Sequence, residues 1–354
     1  MARIHIGGAG GAPSNNIIRS LRESSRRDYL IGTSTWLPDL CMADTDEKYL
    51  VFPAMHPEYP RHIMSLLEKT RPAMIHVQND FEVRAISRLR EEIQHLGVRV
   101  YLPAKDTVEN CVDKYKSYVF WKKSGLHVPK TIILTDYQDL RKAFDTLGDK
   151  LWIRAVEGGG GAGALPTGNF EFARMWIDRF KGWGRFTAAE HLTEQSVTWM
   201  SIWYEGELVV AQSRKRRSWS FWNRTLSGVT GVTGVAETVS DPVVDRTAMD
   251  AIFAIDSRPH GLFGVDMTYD SGGVPNPTEI NIGRFFTTVY FFTRAGLNLP
   301  EIYFNIALDQ KFPSLERNIN PLTKGLIWIR QMDREPLLTT VQELEKAQQN
   351  WVPS

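Results

Sequence analysis

The chain has 354 residues, of which 42% are hydrophobic and 23% charged, so it can bury two or three modest cores. Its formal net charge of +1 lacks the basic excess typical of proteins that bind nucleic acid or a membrane surface. We expect neither a signal peptide nor a membrane span, because the sequence has no apolar run of about 18 residues. Cys41 and Cys111 have neither disulfide-framework nor metal-site spacing, which favours a reducing cytoplasm.

The first part of the chain alternates short apolar strands with helical segments. A strand at residues 3–6 runs into the glycine-rich turn 7–13 and then into a helix, and the alternation continues to residue 102. This pattern predicts a Rossmann-like domain over residues 1–110, in which helices cover both faces of a parallel sheet. A dinucleotide fingerprint is absent, since Pro13 replaces its third glycine and no acidic residue ends the second strand.

The last helix of this domain is predicted over residues 81–96, directly after a strand. Open parallel sheets bind ligands at the carboxyl ends of their strands, which makes Asn79, Asp80 and Glu82 a candidate ligand site. Asp80 also suits the N-cap of the helix, with Glu82 in its first turn. The two interpretations are compatible, and both stay open.

The next segment carries the features of a phosphate-binding lid. Lys114 begins a predicted helix, although alone it would be interpreted as a solvated charge, and Arg154 lies on a strand that leads into the loop 158–163. Five of the six loop positions are glycine, which lets backbone N–H groups approach phosphate oxygens closely. The loop lacks the Gly-Lys-Ser/Thr ending of a Walker A motif. It therefore predicts a mobile flap over a triphosphate, with a flexible linker as the alternative.

A dense basic run at residues 213–219 follows a predicted strand. As an isolated feature it would favour RNA binding, with the nearby tryptophans stacking on bases. As a continuation of the strand it would direct Arg214 and Arg216 to one face of a sheet and Lys215 and Arg217 to the other. Only one of these two pairs can face a site.

Residues 261–288 predict a β-hairpin that carries acidic side chains. A turn-forming cluster at residues 270–273 separates two apolar runs, so the chain can fold straight back on itself. We expect Tyr269 to pair with Val274, which would place Asp266 opposite Pro277.

This register places Asp266, Glu279 and Asn281 on one face of the hairpin. Mg²⁺ prefers oxygen ligands and usually takes one or two carboxylates together with phosphates of the substrate. Arg284 follows and suits a phosphoryl group beside such a metal. The alternative is a surface hairpin with solvated acids.

In their order along the chain, these features resemble the ATP-grasp superfamily, particularly its carbamoyl phosphate synthetase-like and carboxylate-amine ligase branch. The resemblance implies a small lid subdomain over residues 111–188 and an antiparallel-sheet core with the nucleotide and metal site over 189–320. Residues 321–354 would form a C-terminal extension. The Rossmann-like domain would come before the ATP-grasp fold and help to bind the acceptor, and the glycine- and threonine-rich loop 226–238 would close over that acceptor.

The resemblance also implies roles for individual residues. The metal ligands for Mg²⁺ or Mn²⁺ would be Asp266, Glu279 and Asn281, and the catalytic arginines facing the phosphoryl and acyl phosphate groups would be Arg284, Arg214 and Arg216. Glu194, rather than Gln195, is expected at the ribose because a carboxylate accepts from both hydroxyls. The hinge at Glu190 would meet the adenine. The residues expected to bind ATP are Lys114, Arg154, Gly159, Gly160, Gly161, Glu190, His191, Leu192 and Glu194.

The implied activity is that of an ATP-dependent carboxylate-amine ligase, which activates a carboxylate as an acyl phosphate for attack by an amine or another nucleophile. Such chemistry depends on positioning and charge neutralisation and requires no nucleophile from the protein. The expected partners are small-molecule carboxylates and amines, and a homodimer is the candidate assembly. The alternative is a nucleotide-binding or RNA-binding protein that uses the same scaffold without ligation.

Overall fold

A computed structural model describes residues 1–161, 163–311, 314–331, 334–343 and 345–346. Within these ranges the chain forms a parallel sheet, a small antiparallel sheet and a large antiparallel sheet, in that order along the sequence. No helix of the described residues is long and apolar enough to cross a membrane.

The N-terminal sheet is parallel throughout, as the sequence predicts. Its strands are β1 (Arg3–Ile6), β2 (Tyr29–Ser34), β3 (Glu47–Leu50), β4 (Met74–His76) and β5 (Arg99–Val100). They pair in the order β3-β2-β1-β4-β5, so the direction of winding changes between β1 and β4. Ligands of open parallel sheets bind at the carboxyl ends of the strands beside such a switch point.

Helices of the N-terminal region pack on this sheet through apolar side chains. Ile4 and Ile6 share a buried cluster with Ile17 of the first helix, while Ile75 shares another with Ile63 of the third helix. The helix predicted over residues 81–96 is instead two helices, because Leu89 leaves helical backbone geometry at φ −89° and ψ 9°. The helices are α1 (Ala12–Arg22), α2 (Leu37–Met42), α3 (Tyr59–Thr70), α4 (Asp80–Arg88) and α5 (Arg90–His95).

Two helices, α6 (Lys105–Val112) and α7 (Lys114–Lys123), lead into the small antiparallel sheet. This sheet contains β6 (Thr131–Leu134), β7 (Leu151–Ala155), β8 (Leu165–Thr167) and β9 (Phe186–Glu190), paired in the order β6-β9-β7-β8. Its helices are α8 (Tyr137–Leu147) and α9 (Phe170–Arg179), close to the helices that the sequence predicts over residues 136–147 and 170–180. Leu140, Ile153 and Ile177 belong to the separate core that these elements share.

The large sheet carries most of the predicted site. Its strands are β10 (Ser196–Tyr204), β11 (Glu207–Trp219), β12 (Thr233–Val239), β13 (Gly261–Tyr269), β14 (Pro275–Ile282), β15 (Leu326–Gln331) and β16 (Arg334–Thr340). The order is β14-β13-β10-β11-β12-β15-β16. The basic run is therefore part of a strand. The sequence prediction of a loop over residues 226–238 is wrong from residue 233 onward. These residues alternate between buried and half-buried and pair with β11 as strand β12.

The two faces of the large sheet are covered by different helices. Trp199 and Phe263 pack with Val244 of α10 (Pro242–Phe253) on one face. Met200 and Val210 pack on the other face with residues of α11 (Val289–Arg294) and α12 (Leu299–Ala307). The sequence also predicts a charged final helix over residues 341–348. Residues 341–343 and 345–346 are helical, and residues 344, 347 and 348 lie outside the described part.

Candidate active site

The hairpin of β13 and β14 brings the three predicted metal ligands together, although the predicted register is wrong. Tyr269 pairs with Pro275 instead of Val274, because Asp270 bonds back to Val274 and makes the turn one residue longer. A β-bulge beside Asp266 then adds a second residue, so that Asp266 lies opposite Glu279. Two one-residue shifts cancel in a structure whose side chains alternate with a period of two.

As a result Asp266, Glu279 and Asn281 project from the same face of the sheet. Asn281 Nδ2 donates to Asp266 Oδ2 over 3.0 Å, and Thr198 on the neighbouring strand donates its hydroxyl to Asp266. No group of three or more His, Cys, Asp or Glu side chains among the described residues could hold a metal by itself. Two carboxylates and an amide fit the limited set of protein ligands that Mg²⁺ uses when substrate phosphates complete its shell.

Glu279 connects this hairpin to both predicted phosphate-binding cations. Its Oε2 lies 3.5 Å from Lys114 Nζ and 3.7 Å from Arg154 Nη1. Asp113 caps α7 by accepting from the backbone of the first turn, so the helix begins at Lys114. Lys114 Nζ donates to Gly158 O over 2.5 Å. Arg154 Nη2 donates to Thr278 O over 2.7 Å. Burial lowers the pKa of Arg154, and the charge of Glu279 opposes that change.

The glycine loop lies beside the Arg284–Asp80 pair and against a second loop. A Cβ atom added at Gly159 would be 3.8 Å from both Arg284 Nη2 and Asp80 Oδ2. Gly161 has φ +73°, and a Cβ there would be 2.6 Å from Val229 O, so this position requires glycine for two reasons. Gly160 in turn packs against the loop at residues 226–232, since a Cβ atom added at Gly231 would lie 2.7 Å from Gly160 Cα. The two glycine-rich loops therefore pack on one another above the site.

Arg284 joins the N-terminal sheet to the hairpin. Its guanidinium binds Asp80 through Nε to Oδ1 at 2.5 Å and Nη2 to Oδ2 at 3.2 Å, and it also donates to Asn281 Oδ1. Burial alone would raise the pKa of Asp80, but the Arg284 guanidinium holds that pKa below its usual value. The predicted N-cap is wrong: Asn79 caps α4 by accepting from Glu82 N over 2.9 Å, which leaves the Asp80 carboxylate to Arg284.

Arg214 and Arg216 share the face of the predicted metal ligands. Arg216 Nη1 donates to Ser196 Oγ over 2.7 Å, and its Nη2 lies 3.8 Å from Asp266 Oδ1. On the opposite face Arg217 pairs with Glu237 at 2.8 Å. Burial lowers the pKa of Arg216 while the acids across the sheet oppose this shift. The pair predicted to face the site, Arg214 and Arg216, therefore lies on the face of the sheet that carries the acids.

The predicted nucleotide hinge adjoins the turn end of the acidic hairpin, where Thr193 N donates to Tyr269 O and Tyr269 N donates to Gln195 O, each over 3.0 Å. Glu190 accepts from Lys130 N over 2.9 Å, and the His191 ring makes an edge contact with Trp152. Leu192 is half-buried and Glu194 is exposed. In the described contacts none of these four residues bonds to the side chains predicted to bind the metal or the phosphates. Gln195, the alternative to Glu194, accepts from Lys215 at 3.4 Å on the far face of β11.

Several residues of the site escaped the sequence analysis. Thr198 and Ser196 lie on a strand whose neighbours in the sheet cannot be known from periodicity, and they orient Asp266 and Arg216. The carbonyl of Thr278, which accepts from Arg154, lies at the bulge in the pairing of β13 with β14. The signal available for Asp80 was its position after β4, which indicated a ligand site but not its partner Arg284.

Neither a protein-family model nor a curated protein matches this sequence. Solved structures match nearly the whole chain. The N5-carboxyaminoimidazole synthetase of Staphylococcus aureus superposes with a TM-score of 0.71 at 14% identity, over 99% of this chain and 96% of that one. The L-amino acid ligase of Bacillus licheniformis gives a TM-score of 0.67 at 12% identity, over 93% and 79%.

A third similar structure is the biotin carboxylase domain of the Hydrogenobacter thermophilus 2-oxoglutarate carboxylase, in complex with MgADP, ADP and bicarbonate. Its TM-score is 0.70 at 16% identity, over 93% of this chain and 74% of that chain. These three structures define one class, the carboxylate-amine ligases and carboxylases of the ATP-grasp type. The chain has the ATP-grasp fold, as the order of its motifs predicts.

Proposed function

We propose that the protein is an ATP- and Mg²⁺-dependent ligase that joins a small-molecule carboxylate to an amine. The observation that carries this proposal is the position of Glu279, which lies 3.5 Å from Lys114 Nζ and 3.7 Å from Arg154 Nη1 and opposite Asp266. Acids for a metal and cations for phosphates thus meet at one point, although they come from three separate parts of the chain. This combination is what the transfer of a phosphoryl group from ATP requires.

The similar structures support the same chemistry. One is named as a synthetase, one as an amino acid ligase and one as a carboxylase domain with MgADP and bicarbonate. The non-ligase alternative gains no support from them. An RNA surface is also disfavoured by burial, because Arg214 is buried and Arg216 is turned toward Asp266.

The reaction would proceed in two transfers. A carboxylate oxygen of the substrate attacks the γ-phosphorus of ATP, the bond to the β,γ-bridging oxygen breaks, and ADP leaves. The amine nitrogen then attacks the acyl phosphate carbonyl, phosphate leaves, and the nitrogen loses a proton. The protein acts by holding the reactants and neutralising charge, which accounts for a site built from arginine, lysine and backbone N–H groups.

Each part of the site would serve one of these needs. Asp266, Glu279 and Asn281 would hold the metal, and a bound Mg²⁺ or Mn²⁺ would supply charge neutralisation at the phosphate oxygens. The phosphates themselves would lie between Lys114, Arg154 and the glycine loop. We assign Arg284, Arg214 and Arg216 to the transferred phosphoryl and acyl phosphate groups.

The adenosine part would bind at the hinge, with Glu190, His191 and Leu192 at the adenine and Glu194 at the ribose. We propose small-molecule substrates, a cytoplasmic location and a homodimer as the assembly. We propose that the chain divides into domains over residues 1–110, 111–188, 189–320 and 321–354.

The direct test is turnover. The protein is incubated with ATP, Mg²⁺ and pools of carboxylates and amines, and ADP and new product masses are measured. We expect ADP release that depends on both a carboxylate and Mg²⁺, together with a product whose mass equals the two substrates less one water. ADP release that is indifferent to every carboxylate and amine would argue against a ligase.

A further inference from the structure

The start of the glycine loop rests on helix α4 of the N-terminal region. A Cβ atom added at Gly158 would lie 3.9 Å from Phe81 Cζ, and one added at Gly159 would lie 3.8 Å from Asp80 Oδ2. As the chain advances by one residue along the loop, its contact on α4 moves one residue toward the start of the helix. The loop therefore runs along α4 toward the N-terminal end of that helix.

A stronger contact between the same two segments comes just before the loop. Arg84 on α4 donates to both carboxylate oxygens of Glu157, with Nη1 to Oε2 at 3.1 Å and Nη2 to Oε1 at 2.9 Å, across 73 positions of the chain. Two parallel N–H···O bonds fix the orientation of a carboxylate as well as its position. The Arg84 side chain is 12% exposed, and its hydrogen bonds hold the pKa of Glu157 below its usual value. The pair fixes the point at which the chain enters the loop.

The same helix also holds an arginine of the candidate site. Asp80 and Arg84 lie one helical turn apart and so share a face of α4. Asp80 binds the guanidinium of Arg284, which the proposed function assigns to the transferred phosphoryl group. One helix of the N-terminal region thus contacts both this arginine and the entrance of the loop proposed to bind phosphates.

We infer that Arg84 is a positioning residue, which holds the glycine loop over the triphosphate by binding Glu157. The inference rests on the proposed function and adds to it a residue outside the set assigned to the nucleotide and the metal. Backbone N–H groups of the loop can reach phosphate oxygens only while the loop is held down. A loop that is anchored at its entrance loses less conformational entropy when it closes, so less of the binding energy of ATP is spent on ordering it.

A second carboxylate partner of Arg84 allows positioning to be separated from packing. Arg84 Nε lies 3.2 Å from Glu109 Oε2 on α6, and Glu109 Oε1 lies 2.7 Å from Arg88 Nη2, one turn further along α4. These contacts join α4 to α6 and do not involve the loop. Substitutions of Glu109 and Arg88 therefore serve as matched controls.

The test measures how readily nucleotide closes the loop, without turnover. The full chain is incubated with Mg²⁺ and increasing concentrations of a non-hydrolysable ATP analogue, and cleavage of the loop by a protease of broad specificity is followed. The protection midpoint is the analogue concentration that halves the cleavage. We compare the wild type with Arg84→Gln, Glu157→Gln and the double variant, and with the controls Arg88→Gln and Glu109→Gln.

Arg84→Gln should raise the protection midpoint by about 5- to 10-fold, between the small effect of an exposed ion pair and the larger effect of a buried charge-assisted one. Glu157→Gln should raise it to a similar extent, and the double variant should be no worse than either single variant, because the two residues act as one pair. Arg84→Lys keeps the charge but loses the paired geometry, so its midpoint should be intermediate.

Both controls should keep the wild-type midpoint. If Arg84 only packed α4 against α6, Arg84→Gln and Glu109→Gln would lower the unfolding temperature alike and neither would move the midpoint, which would overturn the inference. A wild-type midpoint in Glu157→Gln would do the same, and so would a shift in Arg88→Gln as large as that in Arg84→Gln. If Arg84→Gln does not fold, Glu157→Gln decides alone, because Glu157 is 38% exposed and its loss leaves the contacts between α4 and α6 in place.

Failure of the inference differs from failure of the proposed function. A wild type whose loop the analogue does not protect would refute the positioning role, because no closed loop would then exist for Arg84 to hold. Protection by the analogue without product from any carboxylate and amine would instead refute the ligase. In that case the shifts in Arg84→Gln and Glu157→Gln would still establish the role of the pair.

Discussion

The substitution Glu279→Gln keeps the shape of the side chain and removes the charge on which the proposed function depends. The carboxylate is 23% exposed and lies 3.5 Å from Lys114 Nζ and 3.7 Å from Arg154 Nη1. Opposite charges about 4 Å apart interact by about 4 kcal/mol at an effective dielectric constant of ~20. Loss of one preorganised charge from a reaction site typically costs about 2.7–4 kcal/mol in the transition state. We therefore expect ADP formation to fall by about 100- to 1,000-fold.

The assay is ADP release at saturating ATP, carboxylate and amine, repeated over a range of Mg²⁺ concentrations. Higher Mg²⁺ should restore part of the lost rate, because the amide is a poorer metal ligand than the carboxylate. Glu237→Gln is the control, since Glu237 lies on the opposite face and pairs with Arg217. Wild-type turnover in the Glu279→Gln variant would refute the assignment of the metal and phosphate site.

Three other predictions follow from the described contacts. Asp80→Asn leaves the buried Arg284 guanidinium without its carboxylate and should lower the free energy of unfolding by about 3 kcal/mol, measured in urea; an unchanged midpoint would contradict the pairing. The loop 158–163 should be cleaved by limited proteolysis in the free protein and protected by ATP with Mg²⁺, whereas equal cleavage would indicate a linker. Burial raises the pKa of Glu82 from 4.5 to about 7, so the folded state holds a proton that the unfolded state releases, and stability should fall by about 3 kcal/mol as pH rises from about 4 to 8. Glu82→Gln should remove this fall, and a wild-type slope in that variant would exclude Glu82 as its source.

Much of the secondary structure follows from local sequence. The strand at Arg3–Ile6 and the helices at Tyr137–Leu147 and Phe170–Arg179 lie within one residue of where the sequence predicts them. Asp136 and Asn169 cap these two helices by accepting from their first turns. Local signals suffice for these two helices because the hydrogen bonds involved join residues within four positions of one another.

The candidate site shows the limit of such signals. Period-two alternation correctly grouped Asp266 with Glu279 and Asn281, yet it did so through a register that the turn and the bulge both alter. The sequence predicts a loop over residues 226–238, because threonine and glycine do not reveal that β11 supplies hydrogen bonds to a strand at residues 233–239. Pairing between strands depends on partners that a single segment does not specify.

The sequence alone determined the types of groups in the site and their order along the chain, and therefore the fold class and the expected chemistry. Only the tertiary structure decided which groups meet. It brings Asp80 to Arg284 across 204 positions and Glu279 to Lys114 and Arg154. It also leaves Nε and Nη1 of Arg214 without a hydrogen-bond partner among the described residues. The physical reason is that charge compensation and burial are set by sheet order and register. These depend on how distant segments pack together, and no local periodicity records them.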